Sequence, residues 1–130
     1  MFDNFVEKVI MKPHKKLNAW INSFEFVTEI YLTTKAFPVE EKFGLVSQMR
    51  RAAVSVPVNI AEGSARKTPK EFIHFLHVAL GSMTELDTLI LLSVELEFIQ
   101  KKDAEILLEK LDVIGKLIYG LIKNLENRLQ

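Results

Sequence analysis

The sequence predicts an all-α protein: an antiparallel up-down-up-down four-helix bundle preceded by a short N-terminal amphipathic helix. Three observations lead there. Four long stretches repeat apolar residues at i, i+3, i+4 and i+7, the period of a helix with one buried face, and strand alternation appears nowhere at length. Proline, glycine and capping signals separate the stretches. The connections between them are short, which forces successive helices to run antiparallel. The expected division is an N-terminal helix over residues 1–13 and the bundle over 14–130.

In the first segment, Phe2, Phe5, Val6, Val9 and Ile10 fall on one helical face, and Pro13 ends it by disfavouring helical geometry at the residue before it. So short a helix is not stable alone and needs something to dock on. The first long helix is expected over about residues 15–36. Leu17, Trp20, Ile21, Phe24, Val27 and Tyr31 line one face, and Ala19, Phe26, Ile30 and Phe37 form a second stripe nearly opposite. Two occupants fit the extra stripe, the N-terminal helix or a neighbouring subunit.

The second long helix is expected over about residues 38–62, with Pro38 in its first turn and Glu40 and Glu41 at its positive end. Phe43, Val46, Met49, Ala53, Val56 and Ile60 make its apolar arc. Pro57 lies inside it and predicts a kink, and Gly63 suits a left-handed cap. The third helix opens on Thr68-Pro69-Lys70-Glu71, a capping box with proline at the first helical position, and runs to about residue 97. Phe72, Leu76, Ala79, Met83, Leu86, Ile90 and Val94 form its main stripe. Ile73, Leu80, Leu91 and Phe98 widen it beyond half the circumference, so the helix needs neighbours on two sides. The fourth, about residues 102–129, carries one leucine and isoleucine stripe from Leu107 to Leu125 and a charged outer face.

Composition excludes more than it identifies. Lys+Arg and Asp+Glu are 17 each, so the chain is neutral overall and unlike a strongly basic nucleic-acid binder. There is no cysteine, which removes disulfides, thiolate metal sites and cysteine nucleophiles and fits a cytoplasmic location. Asp3 and Glu7 interrupt the N-terminus, so no signal peptide is expected. No unbroken apolar run approaches the ~18 residues of a membrane span, and no membrane association is expected.

Catalytic patterns are absent. Glu71 and His74 form one Glu-x-x-His, but di-iron bundles use it twice with two further glutamates, and only His14, His74 and His77 are available. The expected reading is a capping glutamate beside surface histidines, with no metal and no cofactor. Arg66 and His74 lie too far apart for the Arg–His spacing of small helical ribonucleases. No nucleophile triad or phosphate loop occurs, so no enzyme is expected.

Two polar features remain. Gln48, Arg51, Ser55, Asn59 and Glu62 recur three or four apart on the second helix. With Glu85 they are expected to form a buried, hydrogen-bonded seam, within the chain or against a neighbour. Residues 50–70 hold Arg50, Arg51, Arg66, Lys67 and Lys70 against Glu62, a local excess of +4 that can attract phosphates. Of these, Arg66, Lys67 and Lys70 flank the turn between the second and third helices and are the candidate RNA- or DNA-binding residues. Aromatics for base stacking are not interleaved with them.

The segments Phe37-Pro38, Glu41-Lys42-Phe43-Gly44-Leu45 and the run from Gln48 through Arg50-Arg51-Ala52-Ala53-Val54-Ser55-Val56-Pro57 to Asn59-Ile60-Ala61-Glu62-Gly63 resemble one known family. These are the four-helix-bundle proteins encoded by intervening sequences inside bacterial 23S rRNA genes. Lys70-Glu71-Phe72 and the stretch Ala79-Leu80-Gly81-Ser82-Met83-Thr84-Glu85-Leu86 continue the likeness, which spans roughly residues 14–125. The resemblance implies a homopentameric bundle with no established enzymatic activity. A related group, the accessory variability determinant of diversity-generating retroelements, is also pentameric and binds nucleic acid and a reverse transcriptase through a basic surface. The neutral charge of this chain departs from that group, and Val58 stands where many relatives carry a small polar residue. The functional expectation is a non-enzymatic homo-oligomer acting as a nucleic-acid-associated adaptor; the alternative is a protein-interaction scaffold with no nucleic-acid role.

Overall fold

The computed structural model describes residues 17–129, and the expected N-terminal helix lies outside them. Four α-helices follow one another: α1 (Asn18–Thr34), α2 (Leu45–Ser64), α3 (Pro69–Glu95) and α4 (Lys101–Asn127), with a 3-10 turn at Val39–Glu41. Helix α1 packs on α2, α2 on α3 and α3 on α4, and α1 closes the ring more loosely against α4. The registers run in opposite directions. Arg50 of α2 reaches Thr34 of α1, whereas Ala61 shares a groove with Trp20. On α3, Ser82 meets Ser55, Ser93 meets Met49, and Phe72 and Phe75 lie against Gly63. Ile30, Met49, Ile60, Leu76, Leu86, Ile90 and Ile118 are fully buried where the four helices face one another.

Helix α1 buries the second stripe, which the sequence left to another occupant, and packs Leu17, Ile21 and Val27 of the first against the core as well. Ala19, Phe26 and Ile30 face the core with Trp20, and Phe24 and Tyr31 lie partly in the open. Ser23 and Thr34 belong to the core face. Their hydroxyls donate to carbonyls of their own helix, Trp20 O at 3.1 Å and Ile30 O at 2.8 Å, so burial leaves no donor unmet.

Helix α2 begins at Leu45 rather than at Pro38. The chain after Pro38 makes only the short 3-10 turn, and the Glu41 carboxylate then accepts from Leu45 N at 3.2 Å, serving the orphan donors of the helix start. Phe43, placed by the sequence in the apolar arc, therefore precedes the helix and is 88% exposed. The helix is continuous through the buried Pro57 and on to Ser64.

Gly63 is not a left-handed cap, because no glycine of the described residues has positive φ. It is buried, and a Cβ there would sit 2.8 Å from both Phe75 Cβ and Phe72 Cδ1. The glycine lets α2 and α3 approach closely beside their connecting turn. Helix α3 starts as expected: the Thr68 hydroxyl accepts from Glu71 N at 3.1 Å, and Pro69 occupies the first turn.

The end of α3 uses a residue the pattern does not mark. Glu97 has φ 64, Glu97 N donates to Val94 O at 2.9 Å, and Phe98 N donates to Ser93 O at 2.8 Å. This is a Schellman motif with glutamate in the position usually given to glycine. A left-handed non-glycine residue costs about 1–2 kcal/mol. Glu97→Gly is accordingly expected to stabilise the fold by about 0.5–1 kcal/mol once the extra freedom of glycine in the unfolded chain is subtracted. A urea midpoint that falls in this variant would contradict the motif.

By length and composition, α3 is apolar enough to cross a membrane, with an 18-residue window of mean hydropathy 1.4. It contains no long unbroken apolar run, because serine, threonine and glycine space the leucines. Only 33% of that window is buried within the chain. One bundle thus leaves much of its most apolar helix uncovered, including Val78, Leu91, Leu92 and Leu96. Helix α4 also departs from expectation, since Ile106, Val113 and Tyr119 are exposed among its charges.

Candidate functional site

The α2–α3 turn is built by the end of one helix and the cap of the next, and it holds Arg66, Lys67 and Lys70 within one short stretch. All three are exposed. Arg66 is engaged: its Nη2 donates to Glu62 Oε1 at 2.8 Å, and its guanidinium lies 4.7 Å over the Phe75 ring. Both members of the ion pair are about half exposed, so the pair contributes at most about 1 kcal/mol and holds the arginine only loosely. Lys67 and Lys70 carry the open charge of this end.

Arg50 and Arg51 do not join them. Fifteen residues of helix separate Arg51 from Arg66, roughly 22 Å at the helical rise. Arg50 is spent inside the chain: Nε donates to Thr34 Oγ1 at 2.9 Å, Nη2 donates to Tyr31 O at 3.4 Å, and the guanidinium lies 4.4 Å over the Tyr31 ring. The +4 run of residues 50–70 is therefore two separate features.

The expected polar seam is partly assembled. Asn59 Nδ2 donates to Ser55 O at 2.8 Å and to Ser55 Oγ at 2.9 Å, and Ser82 Oγ donates to Ser55 Oγ at 2.8 Å. This half-buried cluster ties α2 to α3. Gln48, Arg51, Glu62 and Glu85 are exposed, so within one chain the seam is not a buried network. All five α2 residues share one helical face: the short Ser55 and Asn59 side chains bond beside Ser82 of α3, whereas the longer Gln48, Arg51 and Glu62 side chains are exposed. Glu71 and His74 are exposed on α3, and among the described residues no three His, Asp or Glu side chains converge on a point that could hold a metal.

Sequence reading missed a groove along α1 and α2. Tyr31, Lys42, Phe43, Arg51, Val54 and Val58 line a concavity of about 670 Å³ open to solvent. A second, more apolar concavity of about 390 Å³ continues it past Val54 and Val58 to Phe24, Val27 and Pro57. The sequence signal for this strip was the presence of two apolar stripes on the first helix, of which Phe24 and Tyr31 are the exposed members.

A family model described as 23S rRNA-intervening sequence protein matches residues 15–120, which include the turn, the cluster and the groove. Among solved structures, the chain is similar to a protein of unknown function from the S23 ribosomal protein family of Bacteroides thetaiotaomicron VPI-5482, whose crystal structure was determined at 1.70 Å. The two are 25% identical with a TM-score of 0.73, over 81% of this chain and 98% of that one. No curated protein matches.

Proposed function

The chain belongs to the 23S rRNA-intervening sequence protein family, and from that premise we propose that it is a non-enzymatic, homo-oligomeric adaptor of the cytoplasm. Identical bundles, five by the family resemblance, form a ring that presents a cationic rim to RNA or DNA. The observation that carries the assembly is the apolar surface one bundle leaves in water. Phe43 is 88% and Val39 83% exposed, and Phe43 lines the groove with Val54 and Val58. A contiguous apolar strip of this kind marks an association surface, whereas scattered single residues do not.

In a ring, every α2–α3 turn lies at the same rim, and repetition strengthens a weak cationic patch without any new contact. Phosphate contacts by Arg66, Lys67 and Lys70 are electrostatic and indifferent to base sequence. A mobility-shift series with RNA and duplex DNA from about 50 to about 200 mM salt tests this. The expected result is binding that weakens steeply with salt and disappears in the Arg66→Glu/Lys67→Glu/Lys70→Glu variant at unchanged oligomer mass. Absence of a shift at the lowest salt with either nucleic acid would leave the second reading, a protein-interaction scaffold. That reading draws support from Glu62, which already pairs with one of the three cations.

A further inference from the structure

We propose that residues 2–12 fold back on their own chain as an amphipathic helix and fill the apolar end of the groove between α1 and α2. The fold-back is independent of self-assembly and of the nucleic-acid reading, and it leaves Val39, Phe43 and the exposed face of α3 to a neighbour. Trp20, Phe24 and Val27 of α1 and Val54, Val58 and Ala61 of α2 line this end, a concavity of about 390 Å³ with no charged residue in its walls. On each helix the lining residues recur three or four apart, so two parallel apolar ridges flank one channel. Trp20 and Phe24 stack with ring centroids 4.8 Å apart, which makes the α1 wall broad.

The segment ahead of α1 has the complementary chemistry and the right length. Phe2, Phe5, Val6, Val9 and Ile10 share one helical face, and Asp3, Glu7, Lys8 and Lys12 fall on the other. So short a helix is unstable in water unless that apolar face docks. Residues 2–12 span about 16 Å at the helical rise, and the α1 wall from Trp20 to Thr28 spans about 12 Å. Connection is equally favourable. Leu17 takes extended backbone, φ -79 and ψ 128, immediately before α1, so the chain does not enter along the helix axis. Pro13 disfavours helix at the residue before it. Residues 13–16 reach about 13 Å when extended, which covers the roughly 8–10 Å between packed helix axes. The segment can therefore turn at Pro13 and lie back along α1, beginning beside Trp20.

Two grooves flank α1, and their chemistry decides between them. The one toward α4 includes Asn22, Glu25, Glu29 and Lys110, and the Lys110–Glu29 ion pair bridges its two helices. An apolar face laid there would strip water from those groups and offer them no partner. In the groove toward α2, Thr28 is the one lining residue with a polar side chain. The apolar face of the segment takes that side and leaves its charges in water. The channel is then a site already filled by its own chain, and an outside apolar ligand enters it only by displacing residues 2–12.

The absence of cysteine makes the test direct. Val9→Cys/Val58→Cys is made in the full-length chain, with Val9→Cys/Tyr119→Cys as the comparison. Val58 is 53% and Tyr119 61% exposed, so both partner sites spare the core, and Tyr119 lies on α4, which does not pack on α2. Each variant is co-expressed as two copies carrying tags of different mass and treated with a short bismaleimide. Denaturing gels and mass spectrometry of the digested chains then separate links within a chain from links between chains. The expected result is a link within one chain for Val9→Cys/Val58→Cys and none for Val9→Cys/Tyr119→Cys. Adding Phe2→Asp and Phe5→Asp, which leave the bundle residues untouched, is expected to abolish the link. Equal linking of both pairs, no link in the Val58 pair, links only between differently tagged chains, or a link that survives the two aspartates would each overturn the fold-back.

Discussion

Gly63→Ala is expected to destabilise the bundle by about 1–2 kcal/mol, although alanine is the better helix former. Substituting alanine for glycine inside a helix ordinarily gains about 1 kcal/mol. At Gly63 the added methyl would lie 2.8 Å from Phe75 Cβ and Phe72 Cδ1 and 3.2 Å from Phe72 O. Phe72 Cδ1 belongs to a ring that can turn, but Phe75 Cβ and the Phe72 carbonyl are fixed to the backbone of α3. The helices must separate beside the turn, and overpacking of that kind costs about 2–3 kcal/mol. Gly120 is the control. It is exposed on α4 with nothing within 4 Å of a Cβ, so Gly120→Ala is expected to stabilise by about the propensity gain. Urea denaturation of the two variants should move the midpoint in opposite directions. A stabilised Gly63→Ala would mean that the close approach of α2 and α3 is not what the glycine provides.

The same position shows where sequence reading succeeds and fails. The Thr68-Pro69 start of α3 was legible because a cap is local: hydroxyl, proline and acceptor lie within four residues. Gly63 was misread as a cap because its reason lies on another helix, at Phe72 and Phe75. The orientation of α1 was ambiguous because both of its stripes are apolar, and Ser23 and Thr34 disguised the core face by looking polar. The start of α2 was misplaced because Pro38 and the glutamates after it suit a helix start equally well as a 3-10 turn.

The candidate surfaces follow the same logic. The charge excess of residues 50–70 was visible, but its division into a turn and a distant, internally spent Arg50 depends on the helical rise and on Tyr31, nineteen residues upstream. The groove was invisible because its walls come from α1, α2 and the segment between them, and Phe43 was assigned to the core. The seam was half legible: residue type pointed to Ser55 and Asn59, whose partner Ser82 is 27 residues away.

Association of identical chains is the premise on which the rim acquires a role. A single bundle leaves Phe43 and Val39 almost wholly in water and buries only a third of the most apolar stretch of α3. The mass in solution tests this most directly. Sedimentation or light scattering at micromolar concentration should give about 75 kDa, five times the 14.9 kDa chain. A single species at 14.9 kDa would contradict the account.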